Sequence, residues 1–83
     1  MEKKIGDILK AHRISRGLSL AGMARALDAQ GLKRTRAMVY NYETKAIELR
    51  RPVLAAYVGA FELEQPEAVE LYEAAAAQGD ADA

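Results

Sequence analysis

The stretch Thr35-Arg-Ala-Met-Val-Tyr-Asn-Tyr-Glu-Thr44 decides how the chain is read. Thr35 suits a helix N-cap, because a threonine hydroxyl accepts from a first-turn amide that has no partner inside the helix. Arg36–Thr44 then reads as a short helix with Val39 and Tyr42 on its inward face. Arg36 stands at the positive end of that helix, which disfavours a cation in isolation and suits one that is to meet an anion. Upstream, Ser19 is a second N-cap, opening a helix with Leu20, Met23, Ala24 and Leu27 on one stripe and Gly31 as its stop. Between the two lies a polar, basic turn, Gln30-Gly-Leu-Lys-Arg-Thr35.

Further out, Lys4–Ser15 reads as a first helix with Ile5, Ile8, Leu9 and Ile14 as its apolar positions, and Gly17 stops it. After a loop at Lys45–Arg51, Pro52 is placed as a first helical residue, where its missing amide proton costs nothing. Val53, Leu54, Tyr57, Val58 and Phe61 make that fourth helix the most apolar. Gln65-Pro66-Glu67 opens a fifth, with Ala68, Val69, Leu71 and Tyr72. Tyr57, Phe61 and Tyr72 are expected in the core. The expected organisation is one all-α domain over residues 1–77, followed by a flexible tail or linker start at 78–83. No repeat, glycine-rich phosphate loop or strand-like alternation interrupts this reading.

The charges are segregated along the chain. All twelve Lys and Arg fall within residues 1–51, against five acids, while residues 52–83 hold seven acids and no base. A front with a surplus of seven positive charges and a rear with seven negative ones suggests an oriented surface for a polyanion. The chain lacks cysteine and has one histidine, His12, which excludes disulfides, thiolate sites and a histidine-rich metal site. His12 is expected to face solvent in a structural role. No metal or cofactor is implied, and no nucleophile–base pair or paired-carboxylate cleft points to an enzyme. With no apolar run near the length of a membrane span and no apolar signal region after Met-Glu-Lys-Lys, a cytoplasmic protein without a membrane partner is expected.

Lys10-Ala-His-Arg13, Arg16-Gly-Leu-Ser19 and Val39-Tyr-Asn-Tyr-Glu43 together resemble the lambda repressor-like (XRE-type) helix-turn-helix family, over about Ile5–Leu63. The resemblance implies a compact five-helix DNA-binding domain whose helix-turn-helix is formed by the second and third helices. It implies an ion pair between Arg13 and Glu43, base readout by Thr35, Arg36, Ala37, Tyr40 and Asn41, and phosphate contacts from Ser19, Lys33, Arg34 and Lys45. It also implies a transcriptional regulator, a repressor above all, bound to double-stranded DNA as a homodimer. Val69, Leu71 and Tyr72 are candidates for the dimer contact, and a further domain beyond residue 83 is compatible with the pattern. The chain departs from the family at Leu20, where glutamine usually contacts phosphate and braces the recognition helix. Its turns before Thr35 and after Thr44 are also longer than the family's. Those departures keep two alternatives open: a protein-interaction module of the same fold, of antitoxin or antirepressor type, and a nonspecific nucleic-acid binder using the basic front alone.

Overall fold

A computed structural model describes residues 4–45 and 47–82. Among them are five helices and no strand: α1 (Ile5–Ser15), α2 (Leu20–Ala29), α3 (Arg36–Thr44), α4 (Arg51–Phe61) and α5 (Gln65–Asp82). The local signals act where the sequence places them. Ser19 Oγ accepts from Gly22 N at 3.0 Å and Thr35 Oγ1 from Met38 N at 3.2 Å, so α2 and α3 open on capped first turns. α4 starts one residue earlier than expected, with Arg50 as N-cap and Pro52 in the first turn, where the amides have no helical partner in any case.

Three helices end in the same way. At Gly17 (φ 67°) and Gly31 (φ 85°) the chain turns left-handed, and the next amide reaches back to the helix: Leu18 N to Arg13 O at 3.1 Å, Leu32 N to Leu27 O at 3.0 Å. This double-bonded end satisfies carbonyls that would otherwise be orphaned. α4 ends likewise at Glu62 (φ 53°), with Leu63 N on Val58 O at 3.1 Å, although a side chain at that position carries a steric penalty.

One core gathers Ile5, Ile8 and Leu9 from α1, Met23 and Leu27 from α2, and Val39 and Tyr42 from α3. Leu49, Val53, Leu54, Ala56, Tyr57, Phe61 and Leu71 complete it. The radius of gyration, 11.7 Å, matches the roughly 12 Å expected of a compact chain this long. α3 packs on α1 and α2, and α5 packs on α1 and α4. No helix among the described residues is long and apolar enough to cross a membrane.

Four expectations fail on helix phase or length. Ile14 is 57% exposed: it lies 5 residues past Leu9, about 140° round the helix from the buried stripe, and His12 takes the place on that stripe instead. Tyr72 is exposed rather than core, because the buried position of α5 is its neighbour Leu71. For the same reason Leu71, fully buried, is withdrawn as a dimer contact, while Val69 and Tyr72 stay accessible. No break falls at residue 78. α5 continues to Asp82 through the helix-favouring run Ala74–Ala77, and Gln78 Nε2 donates to Ile47 O at 2.9 Å. Ala83, the last residue of the expected tail, lies outside the described residues.

Two features of the core lead to measurable consequences. Gly6 lies so close beneath the end of α3 that a Cβ there would run into the backbone carbonyl of Glu43. Gly6→Ala should therefore cost about 1–3 kcal/mol in denaturant unfolding, the penalty of forcing packed backbones apart; an unchanged midpoint would show that the helices separate freely. Tyr57 is fully buried and its hydroxyl has no hydrogen-bond partner among the described residues. Burial, helped by the nearby Glu43 charge, pushes that hydroxyl well above the ordinary tyrosine value of 10.0. Tyr57→Phe should gain about 1 kcal/mol at neutral pH by removing the unpaired group. Because the folded pKa is raised, the native tyrosine's contribution is complete below pH 10.0 and declines above it, as the unfolded chain ionises first. The gap between variant and native protein should then widen by roughly 1.4 kcal/mol per pH unit in alkaline melts; parallel curves above pH 10 would refute the burial argument.

Candidate nucleic-acid interface

The interface is built from a clamp behind α3 and a free face in front of it. The clamp is the pair expected from the sequence. Arg13 Nε donates to Glu43 Oε2 at 2.7 Å and Nη2 to Oε1 at 3.0 Å, a two-pronged contact whose planar fork matches the carboxylate. The third nitrogen, Nη1, donates to Leu18 O at 2.8 Å, so one guanidinium ties α1, the α1–α2 turn and the end of α3. The hydrogen bond to Glu43 holds the guanidinium charge more firmly than in a free arginine. Glu43 is the one charged side chain buried among the described residues, its side chain 2% exposed against 13% for Arg13.

In front, Arg36, Ala37 and Tyr40 are exposed and Asn41 is half-buried, all on one side of α3 as the 36, 37, 40, 41 spacing requires. Opposite them stand Ser19, Leu20 and Ala21 at the start of α2, and the two sets line one open depression of about 480 Å³. Thus the first turns of α2 and α3 meet at the same place. Neither carries an acidic residue. Thr35 and Ser19 use their oxygens as cap acceptors, which leaves each hydroxyl hydrogen to donate outward.

The flanking cations divide into separate groups. Lys33 is exposed in the turn before α3. Arg34 is half-buried, with Nε on Tyr42 Oη at 2.8 Å and Nη1 on Lys33 O at 2.8 Å, so it braces the turn from within. Lys45 lies away from the depression in front of α3, in a second hollow with Lys4, Asp7, Lys10 and Thr44. Among the described residues only Arg13 and Glu43 form an ion pair, so none of the described carboxylates lies within 4.0 Å of Lys10, Lys33, Arg36 or Lys45.

His12, expected to face solvent, is instead half-buried, though its role is structural as expected. Its ring stacks on Phe61 at 5.3 Å, Nδ1 accepts from Arg16 Nη1 at 3.1 Å, and Arg16 Nη2 donates to Phe61 O at 2.9 Å. The Arg16 guanidinium also lies over the Phe61 ring, 4.8 Å from its centre, and this cluster closes the end of α4 against α1. Sequence reasoning missed two contributors to the interface. Ala21 left no signal beyond its place next to Leu20. Gly6 left one, a glycine inside an amphipathic helix, where it weakens the helix unless backbone must come close.

Comparisons with protein-family models, with curated proteins and with solved structures find no match.

The clamp is asymmetric, and its mutants should show it. Arg13→Met strands a carboxylate in the interior and should cost about 3–5 kcal/mol. Glu43→Met leaves a guanidinium that reaches water and keeps Leu18 O, so its cost should be smaller. The double variant should be more stable than the sum of the single losses implies, by at least about 1 kcal/mol in thermal or denaturant melts. Additive losses would mean that the two groups do not depend on one another.

Proposed function

We propose that this chain is a sequence-specific DNA-binding regulator of transcription of the lambda repressor-like, XRE-type class, most simply a cytoplasmic repressor. In this reading α2, the turn Gln30–Arg34 and α3 form the helix-turn-helix, and α3 enters the major groove. The reading rests on one observation: the positive ends of α2 and α3 line a single depression that holds Arg36 and no acid. Such a site repels cations and is completed by an anionic partner. The helix behind it is held rigid by the buried Val39, Tyr42 and Glu43, as a reading head must be if its register is to mean anything.

The chemistry on the outer face suits base edges. Arg36 has the fork that matches guanine O6 and N7, and Asn41 the amide that matches adenine N6 and N7. Ala37 between them is small enough for close approach. Tyr40, 51% exposed, offers a ring and a hydroxyl, and Thr35 a hydroxyl at the cap. In this reading Ser19, Lys33 and the remaining nitrogen of Arg34, Nη2, would meet the backbone phosphates that flank such a helix, and Lys45, with Lys10, would touch the backbone further along. Two copies would occupy half-sites about 34 Å apart, one turn of DNA. The exposed Val69 and Tyr72 of α5 are the candidate contact between them.

Selection from a random duplex pool, followed by mobility-shift titration, tests this. A preferred sequence should emerge, and Arg36→Ala should cost about 1–3 kcal/mol of binding and relax preference at one position. Equal shifts for every sequence would leave only a nonspecific binder. Absence of any shift at low salt would overturn the DNA reading in favour of a protein-interaction module.

A further inference from the structure

We infer that the depression between α2 and α3 recognises a pyrimidine 5-methyl group next to a guanine, a specificity that rests on the DNA-binding reading above. Three of its lining residues, Leu20, Ala21 and Ala37, are aliphatic, and they share it with Arg36. An apolar lining gives nothing to a phosphate oxygen, and a cationic fork gives nothing to a second apolar surface. The major groove offers one apolar feature, the methyl at C5 of a pyrimidine, and guanine is the base that best matches an arginine fork. A surface presenting both within one hollow fits the two features side by side.

The position of Leu20 adds to this. As the first residue of α2 it follows the N-cap Ser19 and stays half-buried, so part of its side chain remains at the surface. Arg36 and Ala37, consecutive at the start of α3, both line the hollow, which places a cationic and an apolar contact in it together. The 5-methyl can come from thymine or from 5-methylcytosine, and the same contact serves either.

The test starts from the duplex that the full chain selects. Each thymine is replaced in turn by deoxyuridine, which removes the methyl and keeps every hydrogen-bonding group. At a thymine beside a guanine the wild-type chain should lose about three- to five-fold in affinity, the worth of one methyl taken out of water. Leu20→Asn, which keeps the branched shape and removes the apolar surface, should bind the thymine and deoxyuridine duplexes equally, with its melting temperature confirming that it folds. Parallel selection from CpG-methylated and unmethylated pools separates the sources: enrichment of methylated CpG assigns 5-methylcytosine, and enrichment of thymine beside guanine assigns thymine. A chain that discriminates sequences yet ignores every thymine-to-deoxyuridine change, and gains nothing from methylated CpG, overturns the inference while leaving the DNA reading intact. A chain that selects no sequence overturns the reading beneath it.

Discussion

The buried carboxylate of Glu43 is the constraint around which the rest of the structure is arranged. A carboxylate on the inner side of α3 can stay charged out of water only if a cation meets it with good geometry, and Arg13 does so with two hydrogen bonds. A hydrophobic pair of similar volume could be equally stable, so the gain from the ion pair lies in register. A leucine in that place would tolerate a rotated or shifted α3; the fork of Arg13 accepts one orientation. The third guanidinium nitrogen extends the same demand to the Leu18 carbonyl, and so to the turn that launches α2. Gly6 belongs to this device, because α1 must come near enough to the last turn of α3 for Arg13 to reach. The pose of the exposed face of α3 thus follows from contacts on its hidden side.

How much of this was legible in the sequence depended on how local each cause was. The caps at Ser19 and Thr35 and the stops at Gly17 and Gly31 are decided within a few residues, and the helix bounds they imply agree with the structure to about a residue. The Arg13–Glu43 pair joins residues 30 apart and followed only from a resemblance to a family; no spacing rule would have found it. Ile14 and Tyr72 misled, lying outside the core, because helix phase, not hydrophobicity alone, decides which side turns inward: Leu71 takes the buried place beside Tyr72, and His12 the place on the stripe of α1. Gln78 misled for a different reason. A small, polar end reads as tail, yet one amide hydrogen bond to the Ile47 carbonyl and a run of alanines suffice to continue the helix. The depression between α2 and α3 was legible only in halves, since its two walls are far apart in sequence and only packing brings Leu20 to Arg36.

The placement of Leu20 sets the chemistry of that depression, and so what the proposed reading asks of it. Glutamine at the head of α2 would donate to a phosphate and reach towards the first residue of α3, making the site a purely polar cradle. Leucine does neither. It offers Arg36 no hydrogen-bond acceptor from its side chain and adds an apolar side chain to the lining of the hollow. Under the proposed DNA-binding reading, leucine at this place suits this corner of the surface to discrimination, with positioning proposed for Ser19, Lys33 and Arg34.

The same corner carries an unfavourable charge arrangement in the isolated protein. The positive ends of two helices face one hollow, neither with an acid in its first turn, and Arg36 adds a full positive charge. By contrast α1 and α5 begin conventionally, with Asp7 and Glu67 offsetting their positive ends. Each uncompensated helix end costs the free protein a fraction of a kcal/mol, about 0.3–1 at an exposed site. That cost lowers the stability of the free fold slightly, and an anion bound at the hollow would recover it, so the same interaction would add to anion affinity. Folding tolerates it because the core and the Arg13–Glu43 clamp hold α3 in place without help from its own first turn. A surface strained electrostatically in isolation, and held stiff from behind, is the physical ground on which the DNA-binding proposal stands, because duplex DNA would supply negative charge in a fixed pattern.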